Sequence, residues 1–387
     1  MNQESVAEGI SGSSAAKSAR DRWAAPRLPF ALQYDPLKKG GAWWVPIASV
    51  AAALLLCALF IWMNGMNPWT VYAKMAQGAF GSSFGLSETF VKAIPLLLCG
   101  LGVAVAYRIS VWNIGAEGQL VVGAIAATAV TIYLPGLPGA LYIPVMVAAG
   151  MAAGAIWGLL TAVPRTYFGV NELITSLMLN YVALLLLDYL VFGPWRDPEG
   201  FNFPGTRVFS LEQQLMTFQG SRLHYGLLFA LVAVVLFAFV FNKTRWGYEM
   251  KVLGANPHVA KYGGIRINTH ILLVMMISGG LAGLAGMSEV SGVSHRLMYG
   301  ISPGYGYTAI IVAWLAKLNP WGMLVTSVFV GGLIVGGFSV QTIGLPSSMS
   351  MMLQGAILIC LIGGEMLSRY RLVRKAPRRS GSKGERS

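Results

Sequence analysis

Three polar residues recur at four-residue spacing within an otherwise apolar segment, 172–193. They are Glu172, Ser176 and Asn180, and Asp188 continues the series two steps further. A helix brings residues four positions apart onto neighbouring sites of one face, so these side chains predict a polar stripe. Polar groups in an apolar setting are costly when they lack partners. We interpret the stripe as the wall of a path for a hydrophilic solute. The alternative is hydrogen bonding between helices, with Glu172 at the helix end.

A second polar group lies in the string "WNIGAEGQ", residues 112–119, which contains Asn113, Glu117 and Gln119. The string "SPGYGYT", residues 302–308, is its candidate counterpart later in the chain. Because glycine allows backbone conformations that other residues resist, either string predicts an unwound stretch that exposes peptide groups to a ligand. An ordinary turn is the alternative. On the first interpretation these three side chains join the predicted solute path.

Residues for catalysis or metal binding do not form a recognisable pattern. The sequence has no HExxH, GxSxG or GxxxxGK[ST] motif, and its four histidines are scattered. Cys57, Cys99 and Cys360 all lie in apolar runs without a CxxC pair. We therefore predict no catalytic residue, no metal site and no cofactor, and any ATP hydrolysis that drives the protein belongs to another chain.

The composition is that of a membrane protein. The 387 residues are 55% hydrophobic and 11% charged, whereas soluble domains are roughly 25% charged. The mean hydropathy is +0.61. Since a membrane-spanning helix needs about 20 apolar residues, the sequence predicts an all-α polytopic membrane protein with about ten transmembrane helices. The predicted segments are 43–63, 88–107, 119–134, 139–163, 172–193, 224–242, 268–287, 305–318, 321–340 and 347–367.

The distribution of positive charge predicts the orientation. The net charge is +13, and six Lys and Arg residues lie in 1–42, five in 243–267 and eight in 368–387. Cytoplasmic loops and tails carry such an excess, which argues against nucleic-acid binding. We expect a disordered basic tail (1–42), a transmembrane domain (43–367) with a cytosolic loop at 243–267 and an ordered external loop at 194–222, and a second basic tail. Both termini would be cytosolic in the inner membrane of a bacterium.

Glycine series in two segments are consistent with an internal inverted repeat. Gly150, Gly154 and Gly158 precede "FGVNELITSLMLNYVALLLL", and Gly332 and Gly336 precede "IGLPSSMSMMLQGAILICLI". The two units would begin on opposite sides of the membrane, as the repeats of many transporters do. Ordinary close packing of helices through small residues is the alternative.

The cytosolic loop contains signals for a short helix. In "GYEMKVLGANPHVAKYGGI", residues 247–265, Asn256 suits the N-cap and Pro257 the first helical position. Gly263 or Gly264 can end the helix in a left-handed conformation. A helix this short is marginal alone, so we predict a docking element that packs on a partner.

Three strings carry a family resemblance: "VWNIGAEGQLVVGAIAA", "VNELITSLMLNYVALLLLDYLVFGPWRDP" and the cytosolic string above. Together they resemble bacterial ABC importer permeases of the branched-chain amino acid and simple sugar class. Within that class they are most similar to permeases of nucleoside-type systems, whose receptor is a lipoprotein of the basic membrane protein family. The resemblance covers about residues 40–367. It implies that the chain translocates a nucleoside or a simple sugar such as ribose.

The resemblance also implies partners. They are a cytosolic ATP-binding subunit, a second permease subunit that is the same or different, and a periplasmic or lipid-anchored solute-binding protein. The cytosolic loop would be the contact with the ATPase. The residues assigned to this coupling loop are Glu249, Lys251, Gly254, Ala255, Asn256, Pro257, Ala260, Tyr262, Gly263 and Ile265.

Two other functions fit parts of the sequence. A secondary transporter coupled to protons or sodium would explain the spans and the polar residues Glu172 and Asp188, but not the capped cytosolic helix. A membrane-embedded enzyme acting on lipid would need clustered His, Asp or Cys near the interface, and the sequence has no such cluster.

Overall fold

A computed structural model describes residues 30–34, 44–200, 203–218, 220–344, 346 and 348–374. The chain divides into two compact units. One comprises Met1–Ala48 together with Ile362–Ser387, and the other is Ser49–Leu361, which holds the hydrophobic core.

The second unit is helical, and its first and last helices continue beyond its bounds along the chain. Numbered in chain order, the helices are α1 (Val45–Met63), α2 (Pro68–Phe80), α3 (Ser83–Tyr107), α4 (Ala116–Tyr133), α5 (Gly139–Phe168), α6 (Glu172–Phe192), α7 (Gly226–Lys243), α8 (Arg245–Ala255), α9 (Pro257–Tyr262), α10 (Ile267–Glu289), α11 (Tyr305–Leu315), α12 (Pro320–Ser339) and α13 (Ser348–Arg369). A π-helical turn, Val290–Ser294, extends α10. Short 3₁₀ turns lie at Leu211–Gln213 and Val340–Ile343.

Each of the ten predicted apolar segments coincides with a helix, so the prediction of an all-α polytopic protein is confirmed. Among the described residues, eight helices are long and apolar enough to cross a membrane. The other two apolar helices are shorter, Tyr305–Leu315 and Met351–Gly364. Two helices, α2 and α8, were not predicted, because their apolar residues are too few for a span.

Asn-Pro pairs begin three of the helices. The side-chain oxygens of Asn67, Asn256 and Asn319 accept hydrogen bonds from the first backbone N–H groups of α2, α9 and α12. In each case proline follows at the first helical position, where it removes an N–H that would otherwise lack a partner. The predicted cap at Asn256 is confirmed, and the same pattern marks the other two helices.

The glycine series of α5 brings that helix against α10. A β-carbon on Gly154 would collide with the carbonyl oxygen of Gly279, and one on Gly158 with that of Met275. On α12, Gly332 and Gly336 lie against α2 in a similar way. Small residues therefore allow close helix packing at both sites, as predicted. The inverted repeat itself stays a prediction.

The other unit contains a small sheet. Strands β1 (Phe30–Tyr34) and β2 (Tyr370–Arg374) pair antiparallel, with Phe30 opposite Arg374. Strand β1 lies within the tail predicted over 1–42, and alternating apolar residues favour a strand there. The disorder of that tail stays a prediction. The rest of that tail up to residue 42 lies outside the described residues.

Candidate functional site

Helix α4 begins deep inside the second unit. The segment before it reaches Asn113, whose side-chain amide donates to the hydroxyl of Ser278, the central residue of α10, at 2.7 Å. The same amide donates to Gln119 Oε1 at 2.8 Å, and Gln119 Nε2 donates back to Asn113 Oδ1 at 3.1 Å. Both amides are buried. This pairing fixes the first turn of α4 at the depth of the middle of α10.

The first turn of α4 is capped by another helix. Its own N-cap residue, Gly115, has no side chain, and the Oδ1 atom of Asn180 on α6 accepts from the Gly118 N–H at 2.9 Å. The Asn180 amide group donates to the carbonyl of Ile114 at 2.9 Å and to the hydroxyl of Tyr307 at 3.1 Å. Asn180 thus uses its acceptor and both donors while it is fully buried.

Helix α11 is capped in the same manner by α4. Its N-cap residue is Gly304, and the Glu117 carboxylate accepts from the Gly306 N–H at 2.7 Å. Hydrogen bonds from the Ser302 side chain and the Gly304 backbone complete the arrangement. A β-carbon on Gly306 would collide with the Glu117 backbone, so the contact requires glycine. The two predicted polar strings therefore meet in space, at the first turns of α4 and α11.

Of the remaining members of the predicted stripe, Ser176 adjoins this junction, since a β-carbon on Gly115 would lie 3.2 Å from Ser176 Cβ. Ser176 is buried and donates to the Leu173 carbonyl at 3.2 Å. Glu172 forms an ion pair with Arg165 at the start of α6. Of the two buried members of the stripe, Asn180 forms hydrogen bonds to other elements and Ser176 forms one within α6, and Asp188 is only half buried.

Sequence reasoning missed a second buried polar cluster. The Lys92 ammonium donates to the Tyr305 hydroxyl at 2.7 Å and lies 3.6 Å from Glu289 Oε1. Tyr305 and Glu289 are buried, and Glu289 Oε2 has no partner among the described residues. Lone charges in apolar segments, such as Lys92 in 88–107, were the available signal for this cluster.

His224 is buried beside this cluster, just before α7. Its Nδ1 atom accepts from the Gly226 N–H at 3.2 Å, and its ring packs against Gly226 and Gly292. Burial, together with the smaller effect of the nearby charges of His295 and Lys92, lowers the pKa of His224 to about 4. The imidazole is therefore neutral at physiological pH.

The candidate coupling loop folds as two helices, α8 and α9. Glu249 pairs with Arg245 at 3.4 Å and with His270 at 3.1 Å, which ties α8 to α10. Ala260 is buried beneath α9, whereas Val259 is 55% exposed and Tyr262 is 95% exposed. Ala260 therefore anchors α9 against the rest of the protein, and Val259 and Tyr262 form the outward surface of this helix.

The other residues assigned to this loop lie on α8, at the turn between α8 and α9, or directly after α9. Ala255, Asn256 and Pro257 are exposed at the turn, Gly263 and Ile265 follow α9, and Lys251 is exposed on α8.

A close contact joins α8 to the end of α3. A β-carbon on Gly254 would collide with the carbonyl oxygen of Arg108, and Ser110 Oγ donates to the Gly254 carbonyl at 3.3 Å. The Arg108 guanidinium lies 3.7 Å above the Phe241 ring and donates to the Leu318 carbonyl at 3.4 Å. Burial lowers the pKa of Arg108. The chain runs from this contact to Asn113 within a few residues, so only a short segment separates the α8 contact from the α4 junction.

Comparison with known proteins gives a family for this arrangement. Residues 85–362 match the family model described as the branched-chain amino acid transport system / permease component. A glucose ABC transporter permease of Haloferax volcanii is 36% identical over 88% of this chain and 93% of its own length. A guanosine ABC transporter permease of Bacillus subtilis is 32% identical over 78% and 88%. A nucleoside ABC transporter permease of Lactococcus lactis is 29% identical over 89% and 98%.

The resemblance found in the sequence is confirmed by these matches, which extend through the α4–α11 junction and the α8–α9 pair. The chain is a multi-pass membrane protein that belongs to the family of branched-chain amino acid transport system permease components, the permease subunits of ABC importers.

Proposed function

We propose that the chain is the translocating subunit of an ATP-driven importer whose solute is a nucleoside or a simple sugar. The similar proteins are named for glucose, guanosine and nucleosides. These solutes share hydroxyl groups on a ring and carry no fixed charge. A nucleoside is favoured because two of these three relatives are named for nucleosides.

The observation that carries the coupling part of the proposal is the geometry of α9. This six-residue helix is capped by Asn256, is seated through the buried Ala260 and presents Val259 and Tyr262 outward. An isolated helix of this length is unstable. A helix this short that is nevertheless folded and exposed is consistent with a docking surface for a partner. We infer that a separate cytosolic ATP-binding subunit docks on Val259 and Tyr262, with Lys251 and Lys261 at the rim.

The remaining parts of the transporter follow from this assignment. If α8 and α9 are cytosolic, the basic termini share their side, in agreement with the positive-inside rule. The loop 194–222 then faces outward. It borders a hollow of about 520 Å³ that includes Trp195, Arg196 and Arg207, a surface suited to a solute-binding protein. A second permease subunit, identical or different, completes the path.

The docking hypothesis is tested with Tyr262→Glu in the complete transporter. We expect the variant to insert normally but to lose the ATPase on purification and to lose uptake, because a carboxylate replaces an exposed aromatic side chain. Leu211→Glu is the matched control, since Leu211 is equally exposed but lies in the loop 194–222. Its complex with the ATPase should be unchanged.

Two results would contradict the proposal. Normal co-purification and normal uptake of Tyr262→Glu would show that the ATPase docks elsewhere. The second result concerns the uptake of labelled adenosine and glucose. If uptake is unaffected by ATP depletion but stops when the proton gradient collapses, the protein would instead be a secondary transporter.

A further inference from the structure

Much of the surface of α6 is exposed along the whole helix, because its buried side chains form one narrow stripe. Exposed or half-exposed side chains recur at alternating spacings of four and three residues. They are Ile174, Met178, Tyr181, Leu185, Asp188 and Phe192. These residues form a seam, and Val182, Leu186 and Tyr189 are exposed beside it, so the seam is one part of a broader exposed surface.

Two members of this seam are unsuited to lipid. Tyr181 lies at the middle of α6, is 56% exposed, and its hydroxyl has no hydrogen-bond partner among the described residues. Asp188, one heptad further, is half exposed and within the same part of the chain has no ion-pair partner. Tyrosine in membrane proteins concentrates at the interfaces, not at the middle of a span. A hydroxyl, and still more a carboxylate, is costly in hydrocarbon without a partner.

A second polar aromatic side chain lies beside this seam. Tyr307, in the first turn of α11, is 37% exposed, and its hydroxyl accepts from the buried amide of Asn180. Asn180 directly precedes Tyr181 in α6, so the hydrogen bond holds Tyr307 at the same turn of that helix. Asn180 is therefore too buried to line an open surface itself. Its hydrogen bond instead holds Tyr307 at the exposed surface.

From this geometry we propose that Tyr181, Tyr307 and Asp188 form the wall of the solute path in this subunit. The aromatic rings would stack on the ring of the solute, which is either a nucleobase or the apolar face of a sugar. The Asp188 carboxylate would accept hydrogen bonds from its hydroxyl groups. This inference rests on the proposed function, and Asn180 acts within it as a positioning residue.

Cysteine accessibility separates a water-filled path from a lipid-facing surface. Cys57, Cys99 and Cys360 are first replaced by alanine, and Tyr181→Cys and Asp188→Cys are introduced singly into the complete transporter. A membrane-impermeant methanethiosulfonate reacts only with a thiolate in water, so we expect both to react about tenfold faster than Val182→Cys. Val182 is the control because it is the next residue of α6, at the same depth, and is also exposed.

Saturating adenosine should slow both reactions and leave Val182→Cys unchanged. Glucose is tested in parallel, and protection by either compound supports the proposal. If Tyr181→Cys is no more reactive than Val182→Cys, the face is not a path and the inference is wrong. If it reacts but neither compound protects it, the surface is wet but does not bind these solutes, which also overturns the inference.

A transport assay separates this inference from the proposed function. We expect Tyr181→Leu to raise the KM for uptake about tenfold, the loss expected for one stacked ring, whereas Val182→Leu should leave it unchanged. Absence of ATP-dependent uptake of either solute by the wild-type transporter would count against the proposed function. Normal uptake by wild type and by Tyr181→Leu alike would overturn only the role of this wall.

Discussion

The Glu117 carboxylate accepts a hydrogen bond from the Gly306 N–H at 2.7 Å, although the two residues lie 189 positions apart in the chain. The contact places an anion at the N-terminus of α11, where unpaired N–H groups and the helix dipole favour negative charge. Together with the Asn180 contact to Gly118, it means that both buried helix starts depend on a side chain from elsewhere. We expect the stability of the junction to depend on these two side chains.

Replacement of Glu117 should test the cap on α11. Glu117→Ala leaves buried N–H groups without an acceptor and should cost roughly 1–3 kcal/mol of unfolding free energy. Glu117→Gln keeps an acceptor oxygen and should cost less. Thermal unfolding of the purified protein in detergent would rank wild type, Gln and Ala in that order, and equal midpoints for all three would contradict the capping role.

The acceptor and donor roles of Asn180 can be tested separately. Asn180→Asp keeps the oxygen that accepts from Gly118 but loses the donors to Ile114 and Tyr307, whereas Asn180→Leu loses all three hydrogen bonds. Both variants should lower uptake, and Asn180→Leu should also lower the unfolding midpoint further than Asn180→Asp. An Asn180→Leu variant that melts and transports as wild type would show that this network has no role.

The apolar segments could be predicted because about 20 consecutive apolar residues are a local property of the chain. The Asn256 helix was equally predictable, since its cap and its proline are adjacent. The caps that one helix supplies to another could not be predicted. The residue that caps α4 lies 62 positions away, and nothing near Gly115 shows which helix will supply the acceptor. For the same reason the sequence spacing did not show that Asn180 would be buried and would hold Tyr307.

The contact between Gly254 and Arg108 should transmit movement of α8 to the spans. Gly254→Ala places a methyl group against the Arg108 carbonyl, so α8 must shift. We expect reduced uptake per ATP hydrolysed in the complete transporter, with the ATPase still bound. Gly136→Ala is the control, because its added methyl group meets nothing within 4 Å and Gly136 lies outside the coupling loop. Equal coupling ratios in the two variants would argue against transmission through this contact.

The Lys92–Glu289 pair offers a comparison of single and double replacement. Lys92→Met leaves the Glu289 carboxylate buried without a cation and should destabilise the protein by roughly 3–5 kcal/mol. Lys92→Met combined with Glu289→Gln removes both charges and should recover most of that loss. The unfolding midpoints of the three proteins provide the measurement, and a double variant no more stable than the single one would contradict an energetic link.

The depressed pKa of His224 predicts a loss of stability in mild acid. In the unfolded chain histidine titrates near 6.5, whereas in the folded protein the pKa of His224 is about 4. Between these values the unfolded state binds a proton that the folded state does not, so stability falls as the pH drops from about 6.5 to about 4. The contribution of this one group is at most about 3 kcal/mol.

His224→Asn removes the titrating group but keeps an acceptor for the Gly226 N–H, so it isolates the effect of the proton. We expect wild-type unfolding midpoints to decline steadily between pH 7 and pH 4.5, and the decline to be shallower in the variant. The charges of His295 and Lys92, which lie near the ring, are the same in both proteins. Parallel pH profiles for the two proteins would therefore show that His224 is not the group responsible.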